Sequence, residues 1–115
     1  MAPRFNYQAA TYQCLRPSEL WQCNWLEETG TMCRLVFGIP QAKITTMLGF
    51  SKGHWEKAAE AHGDKRNPDD FERWRALAKM GSQVERFMLC EQAMVAEDFL
   101  GPGKLGEIDV NWPTL

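Results

Sequence analysis

Gln41 to Ala58 reads QAKITTMLGFSKGHWEKA. Two short runs with apolar residues at helical spacing flank the step Leu48-Gly49-Phe50-Ser51. Gly49 is the residue type that takes a positive φ without a Cβ penalty. Ser51 is a strong helix N-cap type, because its hydroxyl accepts from a free amide of the first turn. This pattern predicts a helix ending at Gly49, a tight turn, and a second helix opening at Ser51, which together make a helix-turn-helix. The first helix starts at Pro40, where a missing N–H costs nothing. It runs to about Leu48, with Ile44, Met47 and Leu48 facing inward. The second runs to about Ala61.

The flanks are read in the same way. Residues 1–16 lack a clear period and form an N-terminal arm. Pro17 and Ser18 signal a helix start, followed by Leu20, Trp21, Cys23, Trp25 and Leu26 on one broad face. Thr29 and Gly30 either end that helix or lie inside one long helix, at a cost of ~1 kcal/mol for the glycine. Met32, Cys33, Leu35, Val36 and Phe37 make up the next apolar run. The segment HGDKRNP is a polar loop. A helix is expected over Asp69–Met80, with Phe71, Trp74 and Leu77 on its inner side and Asp69, Asp70 and Glu72 favouring its N-terminal dipole. The longest helix is expected over Gln83–Leu100, closed by GPGKLG. The tail 101–115 alternates briefly and reads as a short strand or an extended arm. The expected fold is all-α: five to six short helices over 17–100 with a helix-turn-helix core and a longer C-terminal helix.

Composition narrows the functional classes. At 115 residues and 44% hydrophobic, the chain is large and apolar enough for one domain with a core of its own. The net charge of −2 argues against an indiscriminate polyanion binder. Charge is uneven, however: Arg34, Lys43, Lys52, Lys57, Lys65 and Arg66 face only Glu56, Glu60 and Asp64 in the middle of the chain, and the C-terminal part is acidic. Cys14, Cys23, Cys33 and Cys90 show no close spacing of a zinc or redox pair. His54 and His62 are eight residues apart, more than two helical turns, and make no compact ligand pair. No metal or cofactor is expected. With no apolar run of membrane length and no signal-peptide core, the expected location is cytoplasmic.

The segment FGIPQAKITTMLGFSKGHWEKA resembles the helix-turn-helix of the Cro and phage-repressor (Xre-type) regulators. Arg34, Gly38, Ile39, Gln41, Ile44, Leu48, Gly49, Phe50 and Ser51 stand in register with that family's pattern, over about a fifth of the chain. Pro40 replaces the usual Ser or Thr, and Trp55 replaces a Val or Ile. The resemblance implies a lambda-repressor-like core and a sequence-specific DNA-binding regulator, a repressor or autoregulator, reading the major groove of double-stranded DNA with the helix near 51–61. By position, Gln41 would hold a phosphate. Ser51, Lys52, Gly53, Glu56 and Lys57 would face the groove, with Lys52 reaching guanine. Lys43, Lys65 and Arg66 would touch the DNA backbone.

Met88, Met94, Val95 and Phe99 on the expected C-terminal helix would form the seam of a homodimer. The alternative is a protein-interaction module or inhibitor that uses the same scaffold, with Trp21 and Trp25 as a partner surface or as core. No catalytic motif stands out. Cys33 and His54 could be combined as nucleophile and base, but their spacing does not demand it.

Overall fold

The computed structural model describes residues 8–101, and these build a sheet rather than a helical bundle. Five strands run β1 Ala10–Arg16, β2 Leu20–Leu26, β3 Met32–Gly38, β4 Lys43–Phe50 and β5 Phe87–Met94, each antiparallel to the next in chain order. Between β4 and β5 lie α1 Lys52–Glu56, a 3-10 turn at Ala58–Ala61, and α2 Pro68–Ala78. The expected all-α fold, the lambda-repressor-like core and the Xre-type resemblance are therefore overturned.

The stretch that suggested a helix-turn-helix is divided at Ser51. Before it, Ile44-Thr45-Thr46 is a β-branched run that loses little rotamer freedom in a strand and more in a helix. It pairs with Phe37, Val36 and Leu35 on one side and with Ala93, Gln92 and Glu91 on the other. Gly49 is not a turn: it is buried inside β4, opposite Met32 and Met88, with no positive φ. Pro40 lies in the β3–β4 connection, where the Ala42 N–H reaches the Ile39 carbonyl at 3.0 Å. After Ser51 the chain is helical for only five residues before the backbone breaks at Lys57.

The expected first helix is a hairpin instead. Pro17-Ser18 forms its turn: Ser18 takes a φ of 60° and the Glu19 N–H returns to the Arg16 carbonyl at 3.1 Å. Thr29-Gly30 is the tip of the next hairpin. Gly30 sits at φ 81°, closing a Glu27–Gly30 turn (2.9 Å) beneath a Glu27–Thr31 pair (2.9 Å). The long helix expected over Gln83–Leu100 is absent, because Phe87–Met94 completes the sheet. Only the expected helix at Asp69–Met80 has a close counterpart, in α2. Asn67 caps it, with its side chain accepting from the Asp69 N–H, and Trp74 and Leu77 are buried. The readings for residues 1–7 and for the tail beyond Gly101 lie outside the described residues.

Strand register sorts the side chains into two faces. Tyr12, Cys14, Trp21, Cys23, Trp25, Cys33, Leu35, Phe37, Ile44, Leu48, Phe50, Phe87 and Leu89 share one face, which is almost wholly apolar. The other carries a polar network in which Gln22 donates to Gln13 (2.7 Å) and Arg34 to Asn24 (3.2 Å). The helical insertion covers the apolar face at one end only. Trp55 stacks on Phe87 with ring centroids 3.9 Å apart, and the His54 ring meets Phe50 edge-on at 5.2 Å. Cys23, Cys33, Trp74 and Leu77 are the buried apolar residues of this core. At the far end Trp21 stays 39% and Tyr12 68% exposed, so the sheet is open there.

Candidate functional site

The tip of the β2–β3 hairpin and the helical insertion meet around a cavity of about 270 Å³. Its walls are Gln8, Glu27, Glu28 and Thr29 from the sheet side, and His54, Ala58, Ala61, His62 and Trp74 from the insertion. Small residues bring these parts together. Gly53 of α1 lies so close to α2 that a Cβ there would fall 2.2 Å from the Leu77 carbonyl oxygen. Gly30 at the hairpin tip lies against Ala78 and Ser51. Ser51 ties the pieces together: its Oγ accepts from the His54 N–H (3.2 Å) and donates to the Thr29 carbonyl (2.6 Å). Arg86 anchors the return strand by donating to the Gly30 carbonyl at 2.6 Å.

The polar groups of the cavity form a partly satisfied set. His54 Nδ1 bonds Thr31 Oγ1, which also bonds Thr29 Oγ1 at 3.2 Å. Burial pushes the His54 pKa down, outweighing the opposing pull of the Glu27 charge, and His62 adds to the depression. Its imidazole is therefore neutral at pH 7. Glu27 accepts from Trp25 Nε1 at 3.3 Å and from the Cys33 thiol at 3.7 Å. Glu28 accepts from Arg75 at 3.2 Å. Trp74 is the exception. It is 8% exposed, it lines the cavity, and its indole N–H is buried without an acceptor.

Cys33 and His54 do not pair as nucleophile and base: the thiol donates to Glu27 and the imidazole bonds Thr31. Burial first, and the Glu27 carboxylate second, push the Cys33 thiol up to about 12, so it is held as S–H and serves as a donor. Among the described residues no three His, Cys, Asp or Glu side chains come together in a way that could hold a metal ion.

The residues expected to bind DNA are scattered, and the DNA-reading function is overturned with the motif that implied it. Gln41 is in the β3–β4 turn and Lys43 opens β4, at the end of the sheet remote from the insertion. The eight residues of β4 separate them from Ser51 by roughly 25 Å. Ser51 and Gly53 are buried. Lys52 pairs with Glu85 at 2.6 Å, Lys57 with Glu60 at 3.4 Å, and Arg66 with Asp64 at 2.6 Å. Glu56 is exposed on α1. Lys65 and Arg66 line a separate open groove on α2 with Phe71, Arg75 and Lys79. There Arg75 lies 4.4 Å over the Phe71 ring. The helical seam of Met88, Met94, Val95 and Phe99 does not exist. Met88 and Met94 point to the polar face of β5, the Val95 N–H bonds the Ala42 carbonyl at 2.7 Å, and Phe99 lies past the strand.

Sequence reasoning missed Glu27, Glu28, Thr29, His62 and Trp74 as a group. Its one usable signal was the pair of histidines, which a continuous helix would hold more than two turns apart. They share a cavity because the helix breaks between them. No family model matches the chain, and no curated protein shows a significant match to it.

Proposed function

We propose that this domain binds a small molecule in the cavity between the β2–β3 hairpin tip and the helical insertion. The observation that carries the reading is Trp74, a residue of the cavity wall whose indole N–H is buried with no acceptor. Leaving a buried donor unpaired costs about 1–3 kcal/mol. A ligand carbonyl or hydroxyl that reaches this donor as it binds recovers that cost. The volume suits a small guest: about 270 Å³ is the share of about nine liquid waters. Several of the polar groups on the wall are held in place by hydrogen bonds to the scaffold, as ligand pockets require. The reading is one of binding rather than turnover, because the thiol beside the cavity is held protonated and the imidazole already has a hydrogen-bond partner.

The test follows the indole N–H resonances of the tryptophans by NMR while small polar fragments are added. The Trp74 resonance moves and saturates, and Trp74→Phe weakens the same fragments about tenfold, the equivalent of ~1.4 kcal/mol. Fragments that move only the resonances of the exposed Trp21 or Trp55 would place binding elsewhere and remove the proposal.

A further inference from the structure

We infer that the ligand of this cavity is a small organic cation that also carries a carbonyl or hydroxyl oxygen, with its positive group on Glu27 and its oxygen on the Trp74 N–H. The inference rests on the cavity being a ligand site and adds the charge class.

The argument is a charge inventory of the walls. Two carboxylates line the cavity, Glu27 and Glu28. Glu28 has a cation of its own, the Arg75 guanidinium at 3.2 Å. Glu27 has none: its hydrogen-bond donors are the neutral indole N–H of Trp25 and the neutral thiol of Cys33. Among the described residues, no Lys or Arg lies within ion-pair distance of it. The nearby imidazoles do not substitute, since His54 is kept neutral by burial and His62 is exposed at the rim. With Glu28 and Arg75 cancelling, the wall carries one uncompensated negative charge at neutral pH. A half-buried carboxylate without a counter-ion favours a cationic guest and rejects an anionic one. The Trp25 ring N–H holds Glu27 in place, and Trp74 on the wall provides aromatic surface of the kind that also attracts cations.

Trp74 sets the second requirement. Its N–H can only donate, so the guest must present an acceptor. A bare ammonium or guanidinium leaves that donor unpaired. A guest with both groups satisfies both walls at once. Ala58 and Ala61 offer no side-chain polar atom that would compete for either end.

Three probes of nearly equal size separate the possibilities, because all carry the same carboxamide: glycinamide as the cation, glycolamide as the neutral form, and oxamate as the anion. Binding is read from the Trp74 indole resonance of the intact chain at pH 7.5. The expected result is that glycinamide binds at least tenfold more tightly than glycolamide, that oxamate binds least, and that Glu27→Gln removes the preference. As pH falls through the depressed His54 pKa, protonation of His54 supplies an internal cation, and the preference for glycinamide shrinks. Equal binding of glycinamide and glycolamide, or a preference for oxamate, overturns the charge class while leaving the ligand site standing. Failure of every probe to move the Trp74 resonance overturns the ligand site itself. Should Glu27→Gln not fold, the three-probe series on the unaltered protein decides alone.

Discussion

Replacing Gly53 by alanine separates two architectures by the sign of its effect. In a helix with an open outer face, Gly→Ala is favourable by up to ~1 kcal/mol, because alanine loses less backbone entropy. In this fold the added methyl has no room. An ideal Cβ at Gly53 would lie 2.2 Å from the Leu77 carbonyl oxygen, 2.8 Å from its carbonyl carbon and 2.9 Å from its Cα. All three obstacles are backbone, so no side-chain rotation relieves the overlap. α1 must move away from α2 by more than an ångström to restore ordinary contact. That displacement loosens Leu77, which is 2% exposed, and pulls on the Ser51 cap and the Thr29 tip bonded to it. Overpacking of this kind costs ~1–3 kcal/mol, and a rigid obstacle places it at the upper end. Offset by the propensity gain, the net destabilisation is about 2 kcal/mol. Equilibrium urea unfolding, followed by tryptophan fluorescence, reads this as a lower midpoint with an unchanged slope. An unchanged or raised midpoint would mean that α1 and α2 do not meet at Gly53, and the cavity between them would lose its floor.

Two further outcomes follow from the same region. Ser51→Ala removes both the cap on the His54 amide and the donor to the Thr29 carbonyl, and lowers unfolding stability by about 2 kcal/mol in the same urea assay; a change within a few tenths would show that the hairpin tip is not tied to the insertion. Burial depresses the His54 pKa below its usual value near 6.5, so between the two values the unfolded chain binds more protons than the folded one. The stabilising contribution is therefore complete above about pH 6.5 and is lost as pH falls through the depressed value; unfolding midpoints taken across that window should fall with acidification, and His54→Asn should flatten the slope.

The parts of this fold that were legible in the sequence are those with only one physical reading. α2 combines a first-turn proline, acidic residues at its N-terminus and buried positions Trp74 and Leu77, a set that serves a helix and nothing else. Ser51 is a cap in either architecture. The strands were ambiguous because their apolar residues satisfy two periods at once. In Leu20–Leu26, Trp21, Cys23 and Trp25 alternate as a strand, while Leu20, Cys23 and Leu26 recur at a helical interval. Turn chemistry could have decided between them. Pro17-Ser18, Thr29-Gly30 and Pro40 recur at intervals of about eleven or twelve residues, the spacing of short strands joined by hairpins, and Ile44-Thr45-Thr46 favours a strand. Gly49 was misread because a glycine that lets a neighbouring side chain approach looks the same in sequence as a glycine that turns: here Met88 Sδ lies 3.3 Å from where its Cβ would be. The cavity was less legible still. Its walls come from Gln8, from Glu27, Glu28 and Thr29 at the hairpin tip, and from the insertion as far along the chain as Trp74, and only the tertiary fold brings Glu28 to Arg75.

The cavity exists because small residues stand where large ones would close it. Gly30, Gly53 and Ala78 let the hairpin tip, α1 and α2 approach at backbone distance. Trp74 of α2 is buried within this arrangement and lines the site. The 3-10 turn contributes Ala58 and Ala61 to the same lining, and neither side chain carries an acceptor for the indole N–H. A serine at either position would offer a hydroxyl on the wall shared with Trp74, and a leucine would fill the volume; both are ordinary residues for a half-exposed turn. Alanine at both positions keeps the donor buried and the space open, at a cost in stability that the fold alone does not require. A structural tryptophan gains nothing from that arrangement, whereas a tryptophan that must meet an incoming acceptor depends on it.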